Sequence, residues 1–152
     1  DLDSNERAKT QLERLRRAGA VRMGMAKTLS DTTMASPRIA ICDFPTSFTS
    51  LGGDAISAAS QDITMRIISS GDTHRASPLT TAMCLGAACK IKGTIPHKLA
   101  NNENMETRIG NPSGVLTVGA EVVNKNGKWR VIKTYSFRTQ RRLMEGFVMI
   151  PD

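Results

Sequence analysis

Three clusters of residues in this chain have the types and spacing to handle anions or protons. The first runs Gly71-Asp72-Thr73-His74-Arg75-Ala76-Ser77-Pro78-Leu79-Thr80-Thr81, a polar loop entering an apolar helix. A helix start presents free N–H groups and partial positive charge. A carboxylate there would meet the backbone, His74 and Arg75 before the helix, and Thr80 and Thr81 on its first turn. A capped helix with a surface His and Arg would use the same residues. The second cluster is Gly110-Asn111-Pro112-Ser113-Gly114. These residues can simply form a loop. They can also form a rigid turn in which Asn111, Ser113 and Gly114 present a hydroxyl and N–H groups to a carboxylate. The third is the tail, where Arg138, Arg141 and Arg142 run straight into Leu143, Met144, Phe147, Val148, Met149 and Ile150. A basic run is usually a solvated arm. This one is followed by residues too apolar for a frayed end, so it is predicted to pair into a sheet and bury. Its arginines would then brace a folded scaffold or fork onto a carboxylate.

The elements that must position these clusters follow from local pattern. Asp3 to Glu6 has capping-box spacing, Leu12 and Leu15 mark a narrow apolar stripe, and Gly19 offers a stop. An amphipathic, mostly solvated helix is therefore expected over residues 1–20. Residues 31–37 read as a loop, 38–44 as a buried strand closed by Pro45, and 62–69 as a second strand. The stretch 46–60 is ambiguous. Ser77 as N-cap and Pro78 in the first turn open a helix over about 78–91. That helix is apolar around nearly its whole circumference, which predicts burial on all sides. Gly93 and Pro96 should end it. Strands are expected over 105–109, 115–123 and 128–137, the last two joined by an Asn124-Lys125-Asn126-Gly127 turn. In the final strand Trp129, Val131, Tyr135 and Phe137 share one parity, with Lys133 the exception. The fold class is α+β: a curled, barrel-like antiparallel sheet around one central apolar helix, with the sheet and helix spanning 38–152.

Bulk composition narrows the partners. The 152 residues suffice for one core, so 1–152 reads as a single domain. A net charge of +7 and a pI near 9.8 draw anions. Nucleic acid is one such anion, but a single Trp and a single Tyr leave no stacking platform, and no zinc-finger spacing occurs. Small polycarboxylates fit better. Three cysteines without CxxC spacing point to a reducing, cytoplasmic compartment. No run approaches the roughly 18 apolar residues of a membrane span. The first residue is Asp1, which raises the expectation of a piece of a longer chain.

The motifs RAGAVRMGMAK, ITMRIISSG, HRA, CLGAACKIKGT, GNPSGVLTVGAEV and RTQRRLMEGFVMIP occur in this order. Together they resemble the C-terminal half of the PrpF family, which comprises 2-methylaconitate cis-trans isomerases, methylitaconate and aconitate Δ-isomerases, and oxalomesaconate tautomerase. The resemblance covers about Leu12 to Pro151. It implies a diaminopimelate-epimerase-like fold of two similar domains, each a barrel-like sheet around a central helix. It also implies cofactor-independent proton transfer on an unsaturated di- or tricarboxylic acid. The family's acid/base pair, a Cys and a Lys, belongs to an N-terminal domain that this sequence lacks. In related epimerases a second catalytic Cys precedes the C-terminal helix, and Ser77-Pro78 occupies that place here. Cys84 and Cys89 lie within the helix.

The resemblance therefore assigns this chain no catalytic residue, metal or cofactor, and His74 is the other candidate acid or base. The expected substrate-binding residues are His74, Arg75, Thr80, Thr81, Asn111, Ser113 and Gly114. The expected partners are a polycarboxylate substrate and the missing N-terminal domain, with room for a homodimer and no membrane. The chain alone is expected to be inactive. A non-catalytic carboxylate-binding module and a basic nucleic-acid-binding domain are the alternatives.

Overall fold

The computed structural model describes residues 2–100, 104–137 and 141–150. In chain order the elements are α1 (Glu6–Arg22), β1 (Ile39–Asp43), β2 (Phe48–Thr49), β3 (Ala55–Ile56), β4 (Ile63–Ser69) and β5 (Asp72–Thr73). They continue with α2 (Leu79–Cys89), α3 (Ile95–Leu99), β6 (Glu106–Asn111), β7 (Gly114–Lys125) and β8 (Lys128–Ser136). The main sheet has the order β1-β4-β6-β7-β8, with β5 folded back on β4, while β2 and β3 form a separate hairpin. All pairs in the main sheet are antiparallel except β4 and β6, which run parallel through Ile63–Ile109 and Thr64–Gly110. The expected antiparallel sheet is therefore mixed. A parallel pair needs a long crossover, and here α2 and α3 lie within it.

That crossover lays α2 on the sheet. Ile63, Met65 and Ile67 of β4, Ile109 of β6 and Val118 of β7 form one core cluster with Ala82, Leu85 and Cys89 of α2. Close approach depends on Gly86, where a Cβ would lie 2.7 Å from Val118 Cγ2. Helix Gly19, by contrast, has nothing within 4 Å of the same position.

A carboxylate clamp fixes the parallel pair. Asp62, 1% exposed at its side chain, accepts from Arg108 Nη2 at 2.6 Å and from the Arg108 backbone N–H at 2.7 Å. The Asp62 N–H donates in turn to the Arg108 carbonyl at 2.8 Å. A second clamp docks α1. Buried Arg16 forks onto Glu13 at 2.7 and 2.8 Å and donates to the Pro37 carbonyl at 3.1 Å. Arg17 adds a third bond to Glu13 at 2.8 Å. These guanidiniums, Arg16 first, hold the Glu13 carboxyl well below the usual carboxylate range, at about 2.

Several expectations need correction. Helix α1 runs through Gly19 to Arg22, and Asn5 caps it, accepting from Ala8 N–H at 3.0 Å. Asp3 instead pairs with Arg66 at 2.9 Å. Strand β1 is an edge strand with only two of its five residues even half-buried. Helix α2 is not covered all round: Thr80 and Cys84 are exposed, because the sheet wraps only one side. Ser77 does not cap α2; Pro78 stands at the N-cap and no side chain caps the helix. Pro96 opens α3, with Thr94 as its cap.

The aromatic stripe of β8 is split by a bulge. Glu121 pairs with Lys133 but Val122 with Val131, leaving Ile132 over. One extra residue inverts the alternation. Tyr135 thus faces the same side as Lys133, opposite the face of Trp129 and Val131, and meets the Phe137 ring edge-on at 5.8 Å.

The tail overturns its own expectation. Residues 141–150 join no sheet, and their apolar side chains are 80–102% exposed. Arg142 pairs with Glu145 at 2.6 Å. Arg138 lies outside the described residues.

Three outcomes test this account. Gly86→Val should cost about 1–3 kcal/mol by overpacking against Val118, whereas Gly19→Ala should gain about 0.5–1 kcal/mol. Equal urea midpoints for the two variants would refute the close-approach reading. Arg108→Ala should cost about 1.5–3 kcal/mol by removing the charged hydrogen bonds to buried Asp62; a loss near zero would remove the clamp's importance. Glu13 titrates lower when folded, so its contribution is full above about 4.5 and is lost as pH falls toward about 2. Across that window wild type should lose melting temperature more steeply than Glu13→Gln, and parallel curves would refute the linkage.

Candidate functional site

Because β4 and β6 run parallel, their C-terminal ends point the same way, and each feeds one of the anion-handling clusters. After β4 the chain turns at Ser70 and Gly71, both at positive φ, and folds back as β5. The His74 N–H donates to the Ile67 carbonyl at 2.9 Å, which draws the loop back along the strand. After β6 the turn 111–114 forms around the Asn111 side chain. Its Oδ1 accepts from the Ser113 N–H at 3.1 Å and its Nδ2 donates to the Gly114 carbonyl at 3.1 Å. Gly114 sits at φ +122°, a conformation that suits glycine. The Leu51 N–H donates to the Pro112 carbonyl at 2.8 Å and ties the β2–β3 hairpin to the same turn.

The two clusters meet directly. Ser113 Oγ donates to the Arg75 carbonyl at 2.7 Å. The structure thus joins the His74–Arg75 loop, the start of α2 and the 111–114 turn on one surface, although they are far apart in sequence. Arg75 is exposed, and among the described residues no carboxylate pairs with it. His74 is half-buried, Thr80 exposed and Thr81 half-buried. The first intrahelical bonds of α2 come from Thr81 and Ala82 to the Pro78 carbonyl, at 3.0 Å each. The N–H groups of Leu79 and Thr80 precede them and have no intrahelical acceptor.

Two roles differ from expectation. Asn111 spends its amide on shaping the turn, and the Ser113 hydroxyl proton goes to a backbone carbonyl. Both residues set the position of the surface. Ser77, expected as a cap and set by the resemblance in the place of the epimerases' second catalytic Cys, has its Oγ buried at the head of α2 with no hydrogen-bond partner among the described residues. An orphaned buried hydroxyl costs about 1–3 kcal/mol, and Arg66 Nε and Thr107 Oγ1 share that condition elsewhere in the domain. The sequence signal of Ser77 was the Ser-Pro step itself, which admits either role.

The thiols behave as core residues. Burial pushes Cys42 up to about 11 and Cys89 up to about 12, so neither supplies a thiolate near neutral pH. Cys84 lies on the exposed face of α2. Among the described residues no group of three or more His, Cys, Asp or Glu could hold a metal ion. No helix there is long and apolar enough to cross a membrane.

Comparison with known proteins gives one consistent picture. The family profile described as PrpF protein matches residues 1–151. The 2-methyl-aconitate isomerase of Shewanella oneidensis is 38% identical over 154 residues, covering 99% of this chain and 39% of that protein. The 3-methylitaconate isomerase of Eubacterium barkeri is 33% identical over 155 residues, covering 98% of this chain and 40% of that protein. The crystal structure of a methylitaconate-delta-isomerase superposes with a TM-score of 0.75 at 27% identity, covering 89% of this chain and 38% of the other. The half-barrel is consistent with the diaminopimelate-epimerase-like fold. The chain spans about two fifths of the length of these curated relatives.

The Ser113–Arg75 bond makes a specific prediction. Ser113→Ala should release the 74–76 loop at a cost of about 0.5–1.5 kcal/mol, so trypsin should cleave after Arg75 several-fold faster. Unchanged cleavage would show that the loop is held elsewhere.

Proposed function

This chain belongs to the PrpF family, whose relatives are isomerases, and from that premise we propose that it is the substrate-binding part of a cofactor-independent isomerase. Its substrate would be an unsaturated di- or tricarboxylic acid of the methylaconitate or methylitaconate kind. The observation that carries this reading is the Ser113–Arg75 bond, which brings an arginine without a carboxylate partner among the described residues and an uncapped helix start beside the exposed Ser113 of an otherwise buried turn.

The chemistry asked of the whole protein is proton abstraction beside a carboxylate and proton return elsewhere on the allylic system. Charge develops on the carboxylate as an enediolate-like species, and donors fixed in advance stabilise it best. Here the free N–H groups of Leu79 and Thr80 and the Arg75 guanidinium are such donors. His74, Thr80 and Thr81 border the same surface, and Asn111, Ser113 and Gly114 hold its far wall. The Ser77 hydroxyl, without a partner among the described residues, would donate to a carboxylate bound at the helix head. With Cys42 and Cys89 held as thiols, the acid and base come from the length of the family that this chain does not span. The surface is then one wall of a cleft.

The test is turnover of methylaconitate by the chain assembled with the remainder of its parent protein. Arg75→Ala should lower kcat/KM by roughly 10- to 100-fold, the worth of a charged hydrogen bond. Ser77→Ala should leave the domain as stable or more stable while turnover falls. If both variants turn over normally, the substrate binds elsewhere.

A further inference from the structure

A cavity of about 240 Å³ lies between the β2–β3 hairpin, β4 and the Asn111–Pro112 turn. Along β4, Ile63, Met65 and Ile67 pack with α2 in the core, and Thr64 and Arg66 alternate with them. Alternate residues of a strand point to opposite faces. Thr64 and Arg66 line the cavity, which therefore lies on the face of the sheet away from α2. Hydrogen bonds already fix its walls. The Leu51 N–H donates to the Pro112 carbonyl at 2.8 Å, and buried Gln61 donates through Nε2 to the Thr46 carbonyl at 2.8 Å.

The lining sets the chemistry. Phe48, Leu51 and Pro112 are apolar, and Arg66 is the one charged residue among those that line the cavity. A mostly apolar concavity with a few placed polar groups is the usual make-up of a small-molecule site. Drug-sized ligands occupy roughly 300–1,000 Å³, so the occupant here is smaller. One guanidinium calls for one carboxylate.

Arg66 also differs from the other clamped arginines. In Arg16 and Arg108, Nε and Nη2 both reach a single carboxylate, that of Glu13 and that of Asp62. This two-pronged fork is the strong form of the pairing. Arg66 places only Nη2 on Asp3, at 2.9 Å, and its Nε is buried with no hydrogen-bond partner among the described residues. Asp3 is exposed, and an ion pair so open to water is held weakly. Asp3 also accepts from the Thr73 hydroxyl, so it keeps a donor if Arg66 leaves it.

We propose that this cavity is a second binding site, for a small monocarboxylate with a short hydrocarbon body. The hydrocarbon packs against Phe48, Leu51 and Pro112. The Arg66 guanidinium turns from Asp3 toward the cavity, and the ligand carboxylate takes both Nε and Nη2. The site is independent of the surface assigned to the isomerase substrate, which uses Arg75 and the head of α2.

The probe is isovalerate, titrated into the isotope-labelled chain and followed by backbone amide shifts. Phe48, Thr49, Leu51 and Arg66 should shift and saturate together. Isovaleramide, the uncharged analogue, should bind at least about 10-fold more weakly, and Arg66→Leu should weaken isovalerate to the same extent. Asp3→Asn removes the competing carboxylate and should tighten binding several-fold. That variant is read by a gain, which misfolding cannot imitate. The proposal is overturned by an absence of saturable shifts, by equal binding of acid and amide, or by an Asp3→Asn chain that binds no better. Shifts confined to Arg75, Leu79 and Thr80 would place the probe on the α2 surface and overturn it too, while leaving the isomerase reading intact.

Discussion

The parallel pairing of β4 with β6 is the constraint from which the rest of the structure follows. Only two residues of each strand pair in register, a short ladder for a join at the middle of a sheet. Asp62 and Arg108 reinforce it with backbone and side-chain bonds in both directions. The Asp62 side chain is 1% exposed and faces a guanidinium that is 45% exposed, so one partner of the pair stays partly hydrated. With the pair reversed, the loops after β4 and β6 would emerge at opposite ends of the sheet, and Arg75 could not reach Ser113.

Core packing and the proposed binding surface lie in different parts of the same helix. The C-terminal half of α2 packs Leu85, Gly86 and Cys89 into the sheet, with Gly86 allowing an approach no larger residue permits. The N-terminal turn has no side-chain cap, and a hydroxyl beside it has no partner. The first half of the helix therefore draws on the packing of the second. A lone helix of 11 residues would be marginal in water, so its open end survives only because its other end is anchored.

Much of this was legible in the sequence, and what was not has physical causes. Strands 62–69, 115–123 and 128–137, the Asn126-Gly127 turn and the apolar helix all stand where periodicity and turn chemistry put them. The residues of both anion-handling clusters do converge, although no local pattern could show that Ser113 bonds the Arg75 backbone across 38 residues. The β8 stripe misled because a bulge has no composition of its own; only Lys133 within the stripe hinted that the alternation breaks. The apolar circumference of α2 was read as burial on all sides, whereas a half-barrel covers one side. The tail was read as a strand of this sheet, whereas residues 141–150 join none, because an apolar run shows a need for burial and not where that need is met. Helix α1 was read as mostly solvated, since a helix pattern does not reveal that Pro37 offers a carbonyl to Arg16.

The bulge at Ile132 also governs how the domain behaves among its own copies. Strand β8 ends the sheet, and an open strand edge is a template on which another chain can pair. The extra residue twists that edge out of register, and Lys128, Arg130 and Lys133 stud it with positive charge. Two such edges brought together would repel and fail to align. The opposite edge, β1, has the sequence Ile-Ala-Ile-Cys-Asp and neither safeguard. Of the two edges of the half-barrel, the β1 side is thus the one more open to pairing, and Ile41→Lys is the substitution that would close it.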